Sequence, residues 1–210
     1  QNLQHPVHVS DVLALDQSMR ELQDNLPFYF RARLTKHGVE CDKSLDSTYG
    51  FLNVHRFLLH TEINSVRIAL HRPYLLRSSG PNGAKFLPCR EASLNAALHD
   101  LEMRSDFVQD LQKLKVKNEP LLLYRVQIGT YKYFHSLLVV GIVLLMDPNA
   151  PDAPKLKAHL EHYVEKHRQR SAVYSDEMRD REANVIGIFL SRIEQVEKAA
   201  STAKRSTTSR

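Results

Sequence analysis

His159, His162 and His167, interleaved with Glu161 and Glu165, are the stretch closest to a metal-binding pattern. His159 and His162 are three apart and can share a helix face, but a zinc site needs a third protein ligand at suitable geometry. His167 falls five residues past His162, on another face, and no His-Glu-x-x-His motif occurs. A solvated helix face is the plainer reading, and no metal ligand is assigned in this chain.

Two other groups could bind rather than ligate. His71 and Arg72 stand at the end of an apolar run, and an Arg fork pairs bidentately with a carboxylate, so they are candidates for an acidic effector. Arg67, one turn earlier, lies on the same side. The competing reading is a cation in the last helical turn complementing the helix dipole, with Tyr74 and Leu75 packed on the core. Tyr124, Tyr131, Tyr133, Phe134 and His135 fall on or beside the most apolar segment, and an apolar pocket with a few polar handles suits a small molecule. Core filling is the alternative. Arg67, His71, Arg72, Tyr74, Tyr131, Phe134 and His135 are therefore the candidate effector-binding or motif residues.

Covalent chemistry finds no support. There is no Gly-x-Ser-x-Gly, no phosphate-cradling glycine loop, and no Cys-His hydrolase signature around Cys41 or Cys89. Carboxylate pairs such as Asp176-Glu177 and Asp180-Glu182 sit beside Arg179 and Arg181, as in surface ion pairing on a helix. No catalytic residue is assigned and the chain is not expected to be an enzyme.

The elements that must carry these residues are helical. Ser10-Asp11 starts a helix whose Val12, Leu15, Met19, Leu22 and Leu26 share a face, and Pro27 stops it. After a polar interval with Gly38 and Gly50, a long helix is expected from about Leu45 to His71, with Phe51, Leu58, Leu59, Ile63, Val66 and Leu70 as its stripe and Pro73 ending or kinking it. Ser78 to Pro88 concentrates turn residues. Pro88 suits the first turn of a helix in which Ala92, Ala96 and Ala97 allow close packing, with Ser105-Asp106 restarting or continuing it. Pro120 opens an apolar helix, Leu121 to Met146, expected to be central. The prolines of Asp147 to Pro154 make a connector. A charged helix from Leu156 to about Arg170 follows, and a last one from Ser175-Asp176 to about Ala200 with Val185, Ile186, Phe189, Ile193 and Val196 as its stripe. No strand and no internal repeat is expected.

At 210 residues, 42% hydrophobic and 25% charged, with 7 glycines, the chain has the composition of a globular domain. Its net charge of +5 is uneven: Lys198, Lys204, Arg205 and Arg210 lie in a final segment without acids, leaving the body near neutral. That tail reads as a disordered end rather than a nucleic-acid grip. Two cysteines suit a reducing compartment. Tyr133 to Met146 is too short for a bilayer span. The chain opens on Gln1 without a signal-peptide pattern and is expected to be cut from something longer.

One set of residues carries a resemblance. Leu26-Pro27-Phe28, then Leu59-His60 leading into Leu70-His71-Arg72-Pro73-Tyr74-Leu75-Leu76, then Pro88-Cys89-Arg90-Glu91-Ala92 with Ala96-Ala97, resembles the fungal-specific transcription factor domain, the middle homology region of the fungal zinc-cluster transcription factor family. Tyr133-Phe134-His135-Ser136 into the apolar Leu137 to Met146 is similar to its later half. The resemblance implies an all-α regulatory module between a DNA-reading six-cysteine zinc cluster and an activation region. It therefore implies nuclear localisation, a small-molecule effector and transcriptional co-regulators as partners, and control of RNA polymerase II transcription by binding and conformational change. The cluster and the dimerising heptads that usually follow it are not in this sequence. Zinc is expected only in that module, and DNA only through it; no membrane partner is expected, and self-association into a homodimer is left open.

The expectation is an all-α domain of six to eight helices around a central apolar helix, spanning 1–197, with a disordered basic tail over 198–210. The rival readings are a helical small-molecule-binding domain or enzyme with an apolar pocket, and a helical protein-interaction scaffold.

Overall fold

The computed structural model describes residues 7–80, 82–113, 130–171 and 177–208; the side chains of 112, 130, 131, 170, 171 and 200–208 lie outside the description. Among the described residues the chain is all-α, with six α-helices: α1 (Val9–Asp24), α2 (Phe51–Leu75), α3 (Leu87–Lys113), α4 (Thr130–Met146), α5 (Ala153–Ser171) and α6 (Glu177–Thr208). None is long and apolar enough to cross a membrane. The chain divides into two compact units, residues 1–136 and 137–210.

In the first unit α2 and α3 pack against each other, and α1 lies on both. Small residues on α3 permit this: Ser93, Ala96 and Ala97 are fully buried. Between α1 and α2 the chain forms what the sequence reading missed, an antiparallel hairpin of β1 (Ala32–Thr35) and β2 (Gly38–Cys41). Arg33 pairs with Glu40 and Leu34 with Val39, so Ala32, Leu34, Val39 and Cys41 face inward while Arg33 and Glu40 stay in water. Gly38 adopts φ 116°, which side-chain-bearing residues rarely do, and so permits the turn. Ala32 joins Phe57, Met103, Phe107 and Leu111 in a core cluster in which Phe57 and Phe107 stack at 4.5 Å.

Lys43 holds the hairpin's exit to α3 by bonding Asp106 at 2.8 Å and Asp110 at 2.6 Å. Arg56, 1% exposed, donates to the carbonyls of Tyr29 (2.8 Å) and Asp42 (3.0 Å) and forks onto the Asp46 carboxylate at 2.9 and 2.7 Å. One buried guanidinium thereby fastens the whole α1–α2 connection.

Pro73 does not end the helix, one of the two outcomes expected of it from the sequence. It lies inside α2, which runs to Leu75 and tightens into a 3-10 turn, Leu76–Ser79. A helical proline costs about 3 kcal/mol, and burying Tyr74 and Leu75 immediately beyond it returns about 1.5–3 kcal/mol each. The 78–88 stretch is largely exposed, as its turn residues require, although Gly83 is buried against Ser78. Pro88 sits in the first turn of α3, which runs without interruption through Ser105-Asp106.

In the second unit Leu137, Val140 and Leu144 of α4, Leu156 and Leu160 of α5, and Ile186 and Ile193 of α6 are all buried. No residue from 132 to 146 is exposed, in keeping with the apolar run. Residues 114–129, including Tyr124 and the expected first turns of that helix, lie outside the described residues. Gly141 is the close-approach point: a Cβ there would lie 2.9 Å from Cγ of Phe189. The helix α6 continues to Thr208, through most of the segment read as a disordered tail. Ala199, Ala200, Ala203, Lys204 and Arg205 are good helix formers and no Gly or Pro interrupts them, so propensity carries the helix past its apolar stripe.

Candidate functional site

The most unusual feature of the first unit is what α2 buries. Asn53, Arg56, His60, Asn64, Arg67 and His71 recur at three- and four-residue steps and are all buried, forming a polar line along the centre of the inward face. Phe57, Ile68 and Leu75 flank it on one side, Leu52, Ile63 and Tyr74 on the other. The residues expected to form the stripe fare differently: Phe51, Leu58 and Val66 are exposed and only Ile63 is fully in the core.

A buried polar group must be met by a partner or it costs about 1–3 kcal/mol. Arg56 is met as described above. His60 Nε2 lies 2.8 Å from the Phe30 carbonyl and Nδ1 3.3 Å from the Gln23 amide nitrogen. The neutral Nε2–H tautomer satisfies both, and burial pushes His60 below the usual imidazole range, in agreement.

Asp16, fully buried on α1, answers the next stretch. Arg67 donates to it through Nε at 2.7 Å and a terminal nitrogen at 3.3 Å, and Arg20 approaches at 3.2 Å. His71 Nε2 is 3.1 Å from Asp16 Oδ1, a close contact that lacks the alignment of a hydrogen bond. Burial alone would raise the Asp16 pKa, but His71 and Arg67 outweigh it and hold the carboxyl well below its usual range.

Beside this pair lies a half-open cavity of about 470 Å³, its rim exposed at Arg20, Pro88, Glu91 and Asn95. Leu13, Asp16 and Arg20 of α1, Leu34 of the hairpin, Arg67 of α2, and Pro88, Glu91, Ala92, Asn95 and His99 of α3 line it. The α3 residues recur at helical spacing and so present one face. His99 is buried, its ring 5.1 Å from that of His60, and its Nε2 has no hydrogen-bond partner. Burial, with smaller contributions from His60 and Arg67, depresses its pKa to about 3, so His99 is neutral at physiological pH. Thr61 Oγ1, both amide atoms of Asn64, both ring nitrogens of His71 and Ser93 Oγ are buried and likewise unpartnered.

Of the residues singled out from sequence, Arg67 and His71 are brought together at Asp16, as their spacing suggested. Arg72 is not with them: it is exposed in the last turn of α2, in the position of a dipole-complementing cation. Its charge acts on half-buried His135, whose pKa is lowered by burial and then by Arg72. Tyr74 is a tether rather than a ligand group, its hydroxyl donating to the Val7 carbonyl at 3.0 Å and its ring lying 5.8 Å from Phe86. Phe134 is half-buried, and Tyr131 lies in α4 with its side chain outside the description. Sequence reasoning missed Asp16, Arg20, Glu91, Asn95 and His99.

Cys41 and Cys89 are free thiols, both with pKa raised by burial. In the second unit a shallow cleft between α5 and α6 is lined by Val164, His167, Gly187 and Ile188, with His167 turned to Asp180 at 2.9 Å. Among the described residues no group of three or more His, Cys, Asp or Glu side chains could hold a metal ion. Compared with protein-family models, with curated proteins and with solved structures, the chain matches none.

Proposed function

We propose that this chain is the regulatory domain of a fungal zinc-cluster transcription factor, responding to an effector by a shift between conformations rather than by catalysis. The observation that carries it is the motif around His71-Arg72-Pro73-Tyr74-Leu75 at the junction of α1, α2 and α3. There His71 meets Asp16, Tyr74 meets the Val7 carbonyl and Leu75 is 1% exposed. The all-α architecture supports the reading. Zinc and DNA recognition belong to a module outside this sequence; co-regulators and a small molecule are its own partners, and the nucleus is where it works.

Fusing the chain to a sequence-specific zinc-cluster DNA-binding module and a reporter tests this in a fungal cell. The fusion is expected to alter reporter output relative to the DNA-binding module alone, and Asp16→Asn to change that output. A fusion whose output equals that of the module alone refutes the proposal. The cavity beside Arg67 favours a second reading, a helical small-molecule-binding domain unconnected with transcription. Ligand binding without any reporter effect would select it.

A further inference from the structure

We infer that the cavity between α1, α2 and α3 binds a small zwitterion of the α-amino-acid class, with Arg20 receiving the carboxylate, Glu91 the ammonium, and Asn95 and His99 a polar group of the ligand's side chain. Its biological role rests on the regulatory reading above, whereas binding can be measured whatever a reporter shows.

The volume, about 470 Å³, falls within the range of about 300–1,000 Å³ found for small-molecule sites. Leu13, Leu34, Pro88 and Ala92 supply an apolar wall, and the charged and polar groups take the rest. The charges decide the class. Arg67 and Asp16 are buried and answer each other through two hydrogen bonds, so they present little net field. Arg20 contacts Asp16 through Nε alone, and its side chain is half exposed, which leaves the outer edge of its guanidinium fork for a carboxylate. Glu91 is exposed on the first turns of α3 and forms no ion pair with the described residues. A cation and an anion on opposite helices of one cavity match a ligand carrying both charges, and each rejects a ligand of its own sign.

The second, independent observation is His99. It lines the cavity, is 7% exposed, and has an Nε2 without a partner. Held neutral, its imidazole can donate or accept one hydrogen bond but adds no charge, so it does not upset the balance set by Arg20 and Glu91. A site whose buried polar group is completed only by its ligand discriminates strongly against molecules that cannot make that bond.

The test is calorimetric titration of the whole chain with each common amino acid, alongside its N-acetyl and amide derivatives and the matching plain carboxylic acid. At least one free amino acid is expected to bind saturably. Blocking either terminus should weaken binding about tenfold or more, the loss expected for a charge-assisted hydrogen bond. Arg20→Gln and Glu91→Gln change exposed side chains, so both variants should fold; each should cost about tenfold or more. The Arg20 change should abolish the difference between free acid and amide, and the Glu91 change that between free and acetylated amine. No binding by any free amino acid overturns the inference. So does equal binding of the free, blocked and plain carboxylic forms, or undiminished binding by both folded variants.

Discussion

Replacing His99 by Leu should remove part of the acid sensitivity of the first unit. Above pH 6.5 the imidazole is neutral in both the folded and the unfolded chain, and its contribution to stability is complete. As the pH falls below 6.5 the unfolded chain takes up a proton, whereas the buried His99 does not until about pH 3. The unfolded state thus binds more protons throughout that window, so stability rises with pH there and falls with acid. The slope approaches about 1.4 kcal/mol per pH unit, which makes the loss between pH 7 and pH 5 about 2 kcal/mol from this group alone.

His60 is depressed by burial in the same direction and adds to the wild-type loss. Asp16 acts elsewhere: its stabilising ionisation is present above the unfolded value of 3.8 and lost only below it, outside the pH 5–7 interval. The groups facing His99 are the His60 ring and the Arg67 guanidinium, neither of which the Leu substitution removes. Urea unfolding followed by circular dichroism at pH 7 and pH 5 reads the difference. The His99→Leu chain should lose about 2 kcal/mol less than wild type over that interval. Equal losses in the two proteins, or an NMR titration of the His99 ring with a midpoint near its ordinary value, would refute the argument.

Four further outcomes follow from burial and contact. Asp16→Ala leaves the Arg67 guanidinium buried without its partner and should cost about 3–5 kcal/mol by urea unfolding, whereas an apolar pair at both positions should recover most of it. Leu75→Ala, at a site 1% exposed, should cost about 2–5 kcal/mol in the same assay, while Arg72→Ala on the exposed side should stay within about 0.5 kcal/mol. Gly141→Ala places a methyl against the Phe189 ring; overpacking of about 1–3 kcal/mol outweighs the helix-propensity gain of about 0.5–1 kcal/mol, so the melting temperature should fall and a smaller residue at 189 should restore it. In gel-shift titrations the chain should bind DNA weakly, without sequence preference, and with steep salt dependence or not at all, because its body is near neutral.

Several helix boundaries were legible because prolines act locally: Pro88 and the Asp147 to Pro154 connector each mark a boundary within a few residues of where the structure has one. Ser10-Asp11 lies just inside the start of α1, but the cap residue there is His8, with no side-chain cap bond, so the position was right and the capping reason was not. The hairpin was missed although its signal was present: apolar and polar residues alternate through Ala32 to Leu34 and Val39 to Cys41, on either side of Lys36-His37-Gly38. Four-residue strands offer too few periods for alternation to stand out from a polar loop. Pro73 misled for a different reason, since its local penalty is real and is overridden by the burial of the two residues after it.

The site was illegible for a reason built into the method of reading faces. Apolar periodicity ranks the sides of a helix by hydrophobicity, and α2 buries a side whose centre is Asn53, Arg56, His60, Asn64, Arg67 and His71. Phe51, Leu58 and Val66 consequently looked like the core while lying in water. The same three- and four-residue spacing that marks an apolar stripe was present in these polar residues, and six such positions in register along 25 helical residues is itself a signal of a buried network. The partners that complete it, Asp16 and His99, stand on other helices and have no local motif; only packing brings them to Arg67. Because a buried ion pair is seldom more stable than an apolar replacement of the same volume, stability alone does not account for this line, and of its six members only Arg67 borders the cavity.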